Sequence, residues 1–501
     1  MNKDNKTVCI IGAGLGGLFA GAILAHEGLQ VTVLEKNATI GGGLQSFRRF
    51  GEVFDTGMHV FGGMQEGGNI RRICEYLGIF DESLFSFVNN GKSDCLYVAE
   101  DDMTYHIRYG REGFVESLSE YFPAEHDNLV RYVEAMFKLS DEVPMFHLRP
   151  ASSDFLMHSS DFFLSADAFI AKYISDAKLR SVVAFMNPLY AGRAGTTPAY
   201  IHSIVSILCI NGPCRFVGGS DLFANKLRDK IESCGGKVLT SEGVKTINTE
   251  GRKITSLSTI KGNNYSADYY ISDIHPATLL TLFDEPTVLP KAYRNRIGEI
   301  PNSYSAFTLN IKFKPNTFPY LDHTAYYMER YDEVWNFGSS DRPWPLGFLY
   351  MTPPEFDQGE FTNKMIVTVP MTWDHVKQWE DTTFGHRTPD YESWKERCAE
   401  EVIRRIEKMY PDFRNCIDKI NTASPLTIRD FYGVKEGCMC GYIKDSKNIT
   451  LSHIPVVTKI PNLLLTGQCI NLHGFCGVPL TAINTSEAIL GINHVLNKIN
   501  V

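Results

Sequence analysis

Val8-Cys9-Ile10-Ile11-Gly12-Ala13-Gly14-Leu15-Gly16-Gly17, followed by Val31-Thr32-Val33-Leu34-Glu35-Lys36, is the stretch that decides the fold. Val8 to Ile11 reads as a buried strand and Leu15 to His26 as a helix opened by glycines. Gly28 marks that helix's end, and Val31 to Leu34 reads as a second strand. Such a βαβ unit demands a parallel sheet with helices on its faces. Gly12 permits the tight turn after the strand, Gly14 lets backbone approach a pyrophosphate, and Gly17 allows close helix–strand packing. The helix N-terminus faces the phosphates, and Glu35 is placed to accept from ribose hydroxyls.

The apolar run Val8 to Ala25, preceded by Lys3 and Lys6, also has the look of a signal peptide or anchor. Its five glycines (Gly12, Gly14, Gly16, Gly17 and Gly21) weaken a continuous helix. No other apolar run is long enough to span a bilayer. The expectation is a cytoplasmic protein without signal peptide or membrane-spanning helix, with peripheral membrane contact left open.

The chain of 501 residues is too long for one compact core. Its net charge of −9 comes without any sustained basic run, since Arg48-Arg49, Arg71-Arg72 and Arg404-Arg405 stand isolated. Nucleic acid is thereby excluded as a partner, because phosphate backbones need clustered cations. Twelve scattered cysteines do not make a disulfide framework and fit a reducing compartment. Cys438-Met439-Cys440 has no second ligand pair at zinc spacing, so no metal is expected.

Further along, Val217-Gly218-Gly219-Ser220 leads into a helical pattern through Leu222, Leu227 and Ile231. Strands follow at Lys237 to Leu239 and Val244 to Ile247, then a hairpin-like piece from Ile254 to Ile260, and a buried strand at Tyr269 to Asp273. Asn462 to Leu465 reads as a last strand and Ala482 to Leu496 as a closing helix. The fold class is therefore α/β: a discontinuous Rossmann-like dinucleotide-binding domain from residues 1–110, 213–299 and 426–501. An α+β substrate domain is inserted, helical over 111–212 and strand-plus-helix over 300–425.

Gly41-Gly42-Gly43, Ser46, Gly51 and Phe54-Asp55-Thr56-Gly57-Met58-His59 give this reading a family. The pattern resembles the phytoene desaturase, carotenoid isomerase and retinol saturase superfamily, with its form of the Asp-x-Gly-x-His stretch nearest the retinol saturase branch. The resemblance implies FAD, held by Gly12, Ala13, Gly14, Leu15, Gly16, Gly17, Glu35 and Lys36. It adds Gly42, Gly43 and Leu44 packed on the cofactor, and Gly57, Met58 and His59 beside the flavin. Many relatives carry Arg after the Gly-Gly pair where this chain has Gly43, which removes one expected phosphate contact. Val244 matches a position whose backbone meets adenine. Gly467 and Gln468 match the end of a strand at the ribityl chain. Gly477, Val478, Pro479 and Leu480 match a helix start under the pyrimidine ring, where N–H groups favour the reduced flavin. Arg429-Asp430-Phe431-Tyr432 resembles the strand that precedes this last motif.

The implied activity is FAD-dependent redox chemistry at C=C or CH–CH bonds of an apolar isoprenoid or polyene, with retinol saturase-like reduction foremost. Hydride would pass at flavin N5 and a proton to the neighbouring carbon, with His59, His473 and Tyr432 as acid–base candidates. Arg429 and Asp430 read rather as braces, and His275 as a turn residue. Desaturation, cis–trans isomerisation, amine oxidation and a non-catalytic prenyl- or lipid-binding role are the alternatives. A single GxGxxG unit implies that electrons travel by a quinone, a small redox protein or transient NAD(P)H binding. Phe137, Phe146, Phe155, Met157, Phe162, Phe163, Phe169, Phe185 and Met186 are either an ordinary helical core or the walls of an apolar tunnel. The oligomeric state is not encoded in any motif.

Overall fold

In the computed structural model, residues 6–88, 92–151 and 158–500 are described. Lys3, Phe155 and Met157 lie outside them. The first strand, β1 (Thr7–Ile11), leads into helix α1 (Leu15–His26) and strand β2 (Gln30–Leu34). These belong to a five-stranded sheet in the order Leu463–Leu465, Tyr269–Ser272, β1, β2, Lys237–Leu239, parallel throughout. Ile10 registers with Val33 on one side and Ile271 on the other. Both faces are covered, so the central strands carry continuous apolar runs instead of alternation.

Helix α1 is buried from Gly16 through Ala25, lying against the helices Asp221–Ser233 and Gly474–Leu490. A helix apolar on every side belongs inside a protein or a membrane, and this one lies inside the protein. Among the described residues no helix is long and apolar enough to cross a membrane. Strand order runs outward in both directions from β1 and Tyr269–Ser272, and such a switch point opens a crevice at the strands' C-terminal ends.

A second, seven-stranded sheet runs in the order Ile417–Ala423, Ser305–Phe313, Lys364–Met371, Gly347–Met351, Ala325–Met328, Ser93–Val98, Met103–Arg108. Alternation builds it: Phe307, Leu309, Ile311 and Phe313 face one side and bury against Val402, Ile403 and Ile406 of the helix Pro389–Met409. The strands Ser93–Val98 and Met103–Arg108 join this sheet, although the sequence reading put residues 1–110 with the nucleotide-binding segments. Their hairpin is local and legible, but its partner, Ala325–Met328, is remote. The helices from Arg111 to Ile210 cover the opposite side, and their core contains Phe146, Phe162, Phe169, Phe185 and Met186, while Phe163 points outward.

Two elements near the C-terminus differ from expectation. Arg429 to Tyr432 is not a strand but the end of a helix, Pro425–Tyr432. Ser424 caps it in a capping box with Thr427, Pro425 occupies the first turn, and left-handed Gly433 closes it. The closing helix begins at Gly474, well before Ala482, and stops at Leu490. Gly474, Gly477 and Pro479 look like breakers but lie in its early turns, and Gly491 (φ 111°) separates it from His494–Ile499.

Candidate functional site

The glycine loop between β1 and α1 opens onto the crevice. Gly12 turns at φ 97°, and the amide of Ala13 donates to Glu35 Oε2 at 2.9 Å. Glu35 Oε1 accepts from Asn37 N at 2.8 Å, so the acid fixes both loops that flank the crevice. Gly41 N donates to Ala13 O at 2.7 Å, which lays the Gly41–Gly43 turn across Gly14. A Cβ on Gly42 would stand 3.2 Å from the Gly14 α-carbon, while one on Gly43 would meet only open space. Leu44 is buried, and its carbonyl accepts from Ser220 Oγ at 3.0 Å.

The course of the crevice is written in exposure. Within otherwise buried segments, Gly12, Gly14, Leu15, Gly42, Gly43, Thr56, Met58, Gln468 and the run Asn471 to Gly474 are half-exposed, and Gly57 is open. These positions trace one cleft from the loop of β1 to the mouth of the helix Gly474–Leu490. A cleft of this course, ending on two helix N-termini, suits a dinucleotide, whose diphosphate would face α1 and whose electron-rich ring edge would face the later helix. Ala13, Gly16, Gly17, Gly477, Val478, Pro479 and Leu480 are buried just behind this surface. Val244 opens the strand Val244–Glu250, paired with Thr259. Lys36 donates to the Asp430 carbonyl at 3.1 Å, tying β2's end to the helix Pro425–Tyr432.

One residue that the motif reading treated only as a strand end lies at the centre of this cleft. Asp273, just past Tyr269–Ser272, is half-exposed on its floor, and a Cβ on Gly14 or Gly467 would stand 2.5 Å from its carboxyl oxygens. Its dense surroundings and the nearby charge of Glu35 push its pKa up to about 7, against the pull of the Gly17 and Gly14 amides. Gly14 and Gly467 are thus required by a side chain of the protein itself as well as by any ligand.

Asp55, in the Asp-x-Gly-x-His stretch, is structural: it accepts from Ser46 Oγ at 2.7 Å, and from Ser220 N and Ser220 Oγ at 2.8 Å. His59 is buried, and its Nδ1 has no partner among the described residues. Burial holds its pKa below the usual value, against the raising effect of Asp55. Tyr432 donates to Thr56 Oγ1 at 2.8 Å, and a Cβ on Gly57 would stand 2.6 Å from that hydroxyl. Its pKa is pushed up to about 12 by burial. His473 is the N-cap residue of Gly474–Leu490, and its Nε2 donates to Leu189 O at 3.1 Å. Burial lowers its pKa to about 4. Arg429 and Asp430 turn away from the cleft: Arg429 donates to the Glu380 and Thr382 carbonyls, and Asp430 pairs with Arg387 and Arg429. His275 caps the short helix Pro276–Leu280.

All twelve cysteines are free thiols. Among the described residues no group of three or more His, Cys, Asp or Glu side chains could hold a metal.

A family model described as flavin containing amine oxidoreductase matches residues 15–490. All-trans-retinol 13,14-reductase of Macaca fascicularis is 25% identical, over 98% of this chain and 86% of its own. Prolycopene isomerase 2, chloroplastic, of an Oncidium hybrid cultivar is 24% identical, over 85% of this chain and 74% of its own. An oxidoreductase from Methanosarcina mazei has the same fold, with a TM-score of 0.62 at 16% identity, covering 96% of this chain and 100% of that one.

Proposed function

The chain belongs to the family of flavin-containing amine oxidoreductases, and on that premise we propose that it reduces a C=C bond of an apolar, isoprenoid-like polyene. It is an FAD-dependent oxidoreductase of the retinol saturase and carotenoid isomerase kind. When bound, FAD supplies hydride transfer to and from carbon. The observation that carries the proposal is the pairing of the Asp55-to-His59 stretch with half-buried apolar side chains, Met58, Leu189 and Met439, packed on the main hydrophobic core. Likeness to a retinol reductase and a prolycopene isomerase supports conjugated substrates over amines.

The chain's own residues narrow the acid–base chemistry. His473 is neutral at physiological pH and spends one ring N–H on Leu189. Tyr432 keeps its proton and directs it to Thr56. His59 is held neutral inside the protein. None of the three carries a readily released proton near neutrality, so in this reading they position the cleft walls and water supplies the proton. His473 and Tyr432 then contribute no inflection to the rate of reduction between about pH 6 and 8.

Anaerobic photoreduction of the holoprotein, followed by a screen of polyenes for flavin reoxidation, tests the proposal. Reoxidation with one C=C bond lost per flavin is the expected result. Altered double-bond geometry with the flavin still reduced would assign isomerisation. Reduction of the oxidised protein by amines, with polyenes inert, would overturn the reading.

A further inference from the structure

The turn that follows Leu189 is fixed from both sides. Arg193 N donates to Thr197 Oγ1 at 2.8 Å, and Thr197 N returns to Arg193 O at 3.0 Å. Ser446 N donates to Thr196 O at 2.7 Å, and Gly195 N to Asp167 Oδ1 at 2.8 Å. The backbone is therefore wedged between the helical layer and the C-terminal segment, and Asp167 is spent on an amide. The Arg193 side chain is half-buried, yet it makes no ion pair with any described residue. Other arginines at this depth spend their donors: Arg387 pairs with Asp430 and Arg405 with Glu329 and Glu401, while Arg215 and Arg180 donate to backbone carbonyls, whereas no described residue accepts from the Arg193 guanidinium.

Gly192 N donates to Asn187 O at 3.4 Å, so the turn that carries Arg193 packs directly on Asn187, beside the buried Tyr304. Tyr304 donates to Asn187 Oδ1 over a long 3.4 Å, and Asn187 Nδ2, wholly buried, has no partner among the described residues. Two residues after Asn187, the Leu189 carbonyl receives His473, which places this corner beside the mouth of the helix Gly474–Leu490. Met439 N donates to Tyr304 O at 3.2 Å, so the same corner adjoins the half-buried, apolar Met439.

A partly desolvated guanidinium without a counter-charge is costly, and a carboxylate matches its forked donors in number and plane. A hydrocarbon or alcohol would leave most of those donors unmet. We infer that the corner formed by Arg193, Tyr304 and Asn187 receives the carboxylate of an apolar, unsaturated acid. The inference rests on the cleft being the substrate site, and it deepens that reading: the substrate is an acid, with one anionic end and a polyene or polyunsaturated body.

The test is binding to the oxidised holoprotein, read as the change in flavin absorbance on titration with all-trans-retinoic acid, its methyl ester and all-trans-retinol. The acid is expected to bind about tenfold or more tightly than ester and alcohol, the scale of one charge-assisted contact. Arg193→Gln should bring acid and ester within about threefold, whereas Arg193→Lys keeps the preference for acid. Full FAD content in each variant shows that it has folded. Equal affinity for acid and ester, a preference that survives in Arg193→Gln, or no binding of any probe would overturn the inference. Acid-selective binding without reoxidation of the photoreduced protein would leave this site standing and refute the proposed reduction. Reoxidation by ester and acid alike would do the reverse.

Discussion

Asp273 shows how a single carboxyl can govern a nucleotide cleft. Its pKa lies far above its ordinary value of 3.8, at about 7, because dense surroundings disfavour the charge. The folded protein therefore holds this proton more tightly than the unfolded chain does. Stability is greatest below the unfolded pKa, declines as pH rises through the window from about 4 to 7, and is level above it. Asp273→Asn mimics the protonated acid and removes that decline. Thermal melts across this window should show the variant's melting temperature gaining on the parent's up to about pH 7 and then running parallel. A constant offset at every pH would show that Asp273 does not titrate there. Gly12, Gly14, Gly17 and Glu35 were legible in the sequence because their roles follow from spacing within one βαβ unit. Asp273 was not, since its position depends on Tyr269–Ser272 pairing with β1 from a distant part of the chain.

At the scale of elements, the helix Pro425–Tyr432 is instructive. Residues that resemble a strand form a helix because Ser424, Pro425 and Gly433 supply cap, first turn and stop in the right order. The helix holds Tyr432 against Thr56 and presents its last carbonyls to Lys36 and Asn37. Ser424→Ala removes the cap and should cost about 1 kcal/mol of stability in urea unfolding. It should also speed FAD dissociation, because Tyr432 loses its seat over Gly57. Unchanged FAD release in a destabilised variant would separate the helix from the cleft. In the helix Gly474–Leu490 the case is opposite: Gly474, Gly477 and Pro479 hide the early turns from hydrophobic pattern, and only the family resemblance marks a helix start at Gly477 to Leu480.

At the scale of the molecule, lysines that no motif singles out join the hairpin after the Gly41–Gly43 turn to the seven-stranded sheet. Lys312 Nζ donates to Phe50 O at 2.7 Å, and Lys364 Nζ to Val53 O at 2.6 Å while also pairing with Glu355. Both ammonium groups thus pin the hairpin Ser46–Arg49 and Glu52–Asp55 onto the seven-stranded sheet. Lys364→Ala leaves a carbonyl without its donor and should cost about 1–3 kcal/mol, read as a lower melting temperature with faster loss of FAD. A variant as stable as the parent would show that the hairpin needs no such clamp. These contacts, like the placement of Ser93–Val98 and Met103–Arg108, join remote segments, and no local pattern encodes them.

The order of the five-stranded sheet also has a consequence for biosynthesis. The edge beside Tyr269–Ser272 is closed by Leu463–Leu465, which a ribosome makes long after Tyr269–Ser272 itself. Until then the nascent chain carries an unpaired strand edge beside the glycine loop, a surface prone to wrong pairing. Cofactor loading accordingly waits for Leu463–Leu465, and the growing chain needs protection at that edge while this strand is still to come.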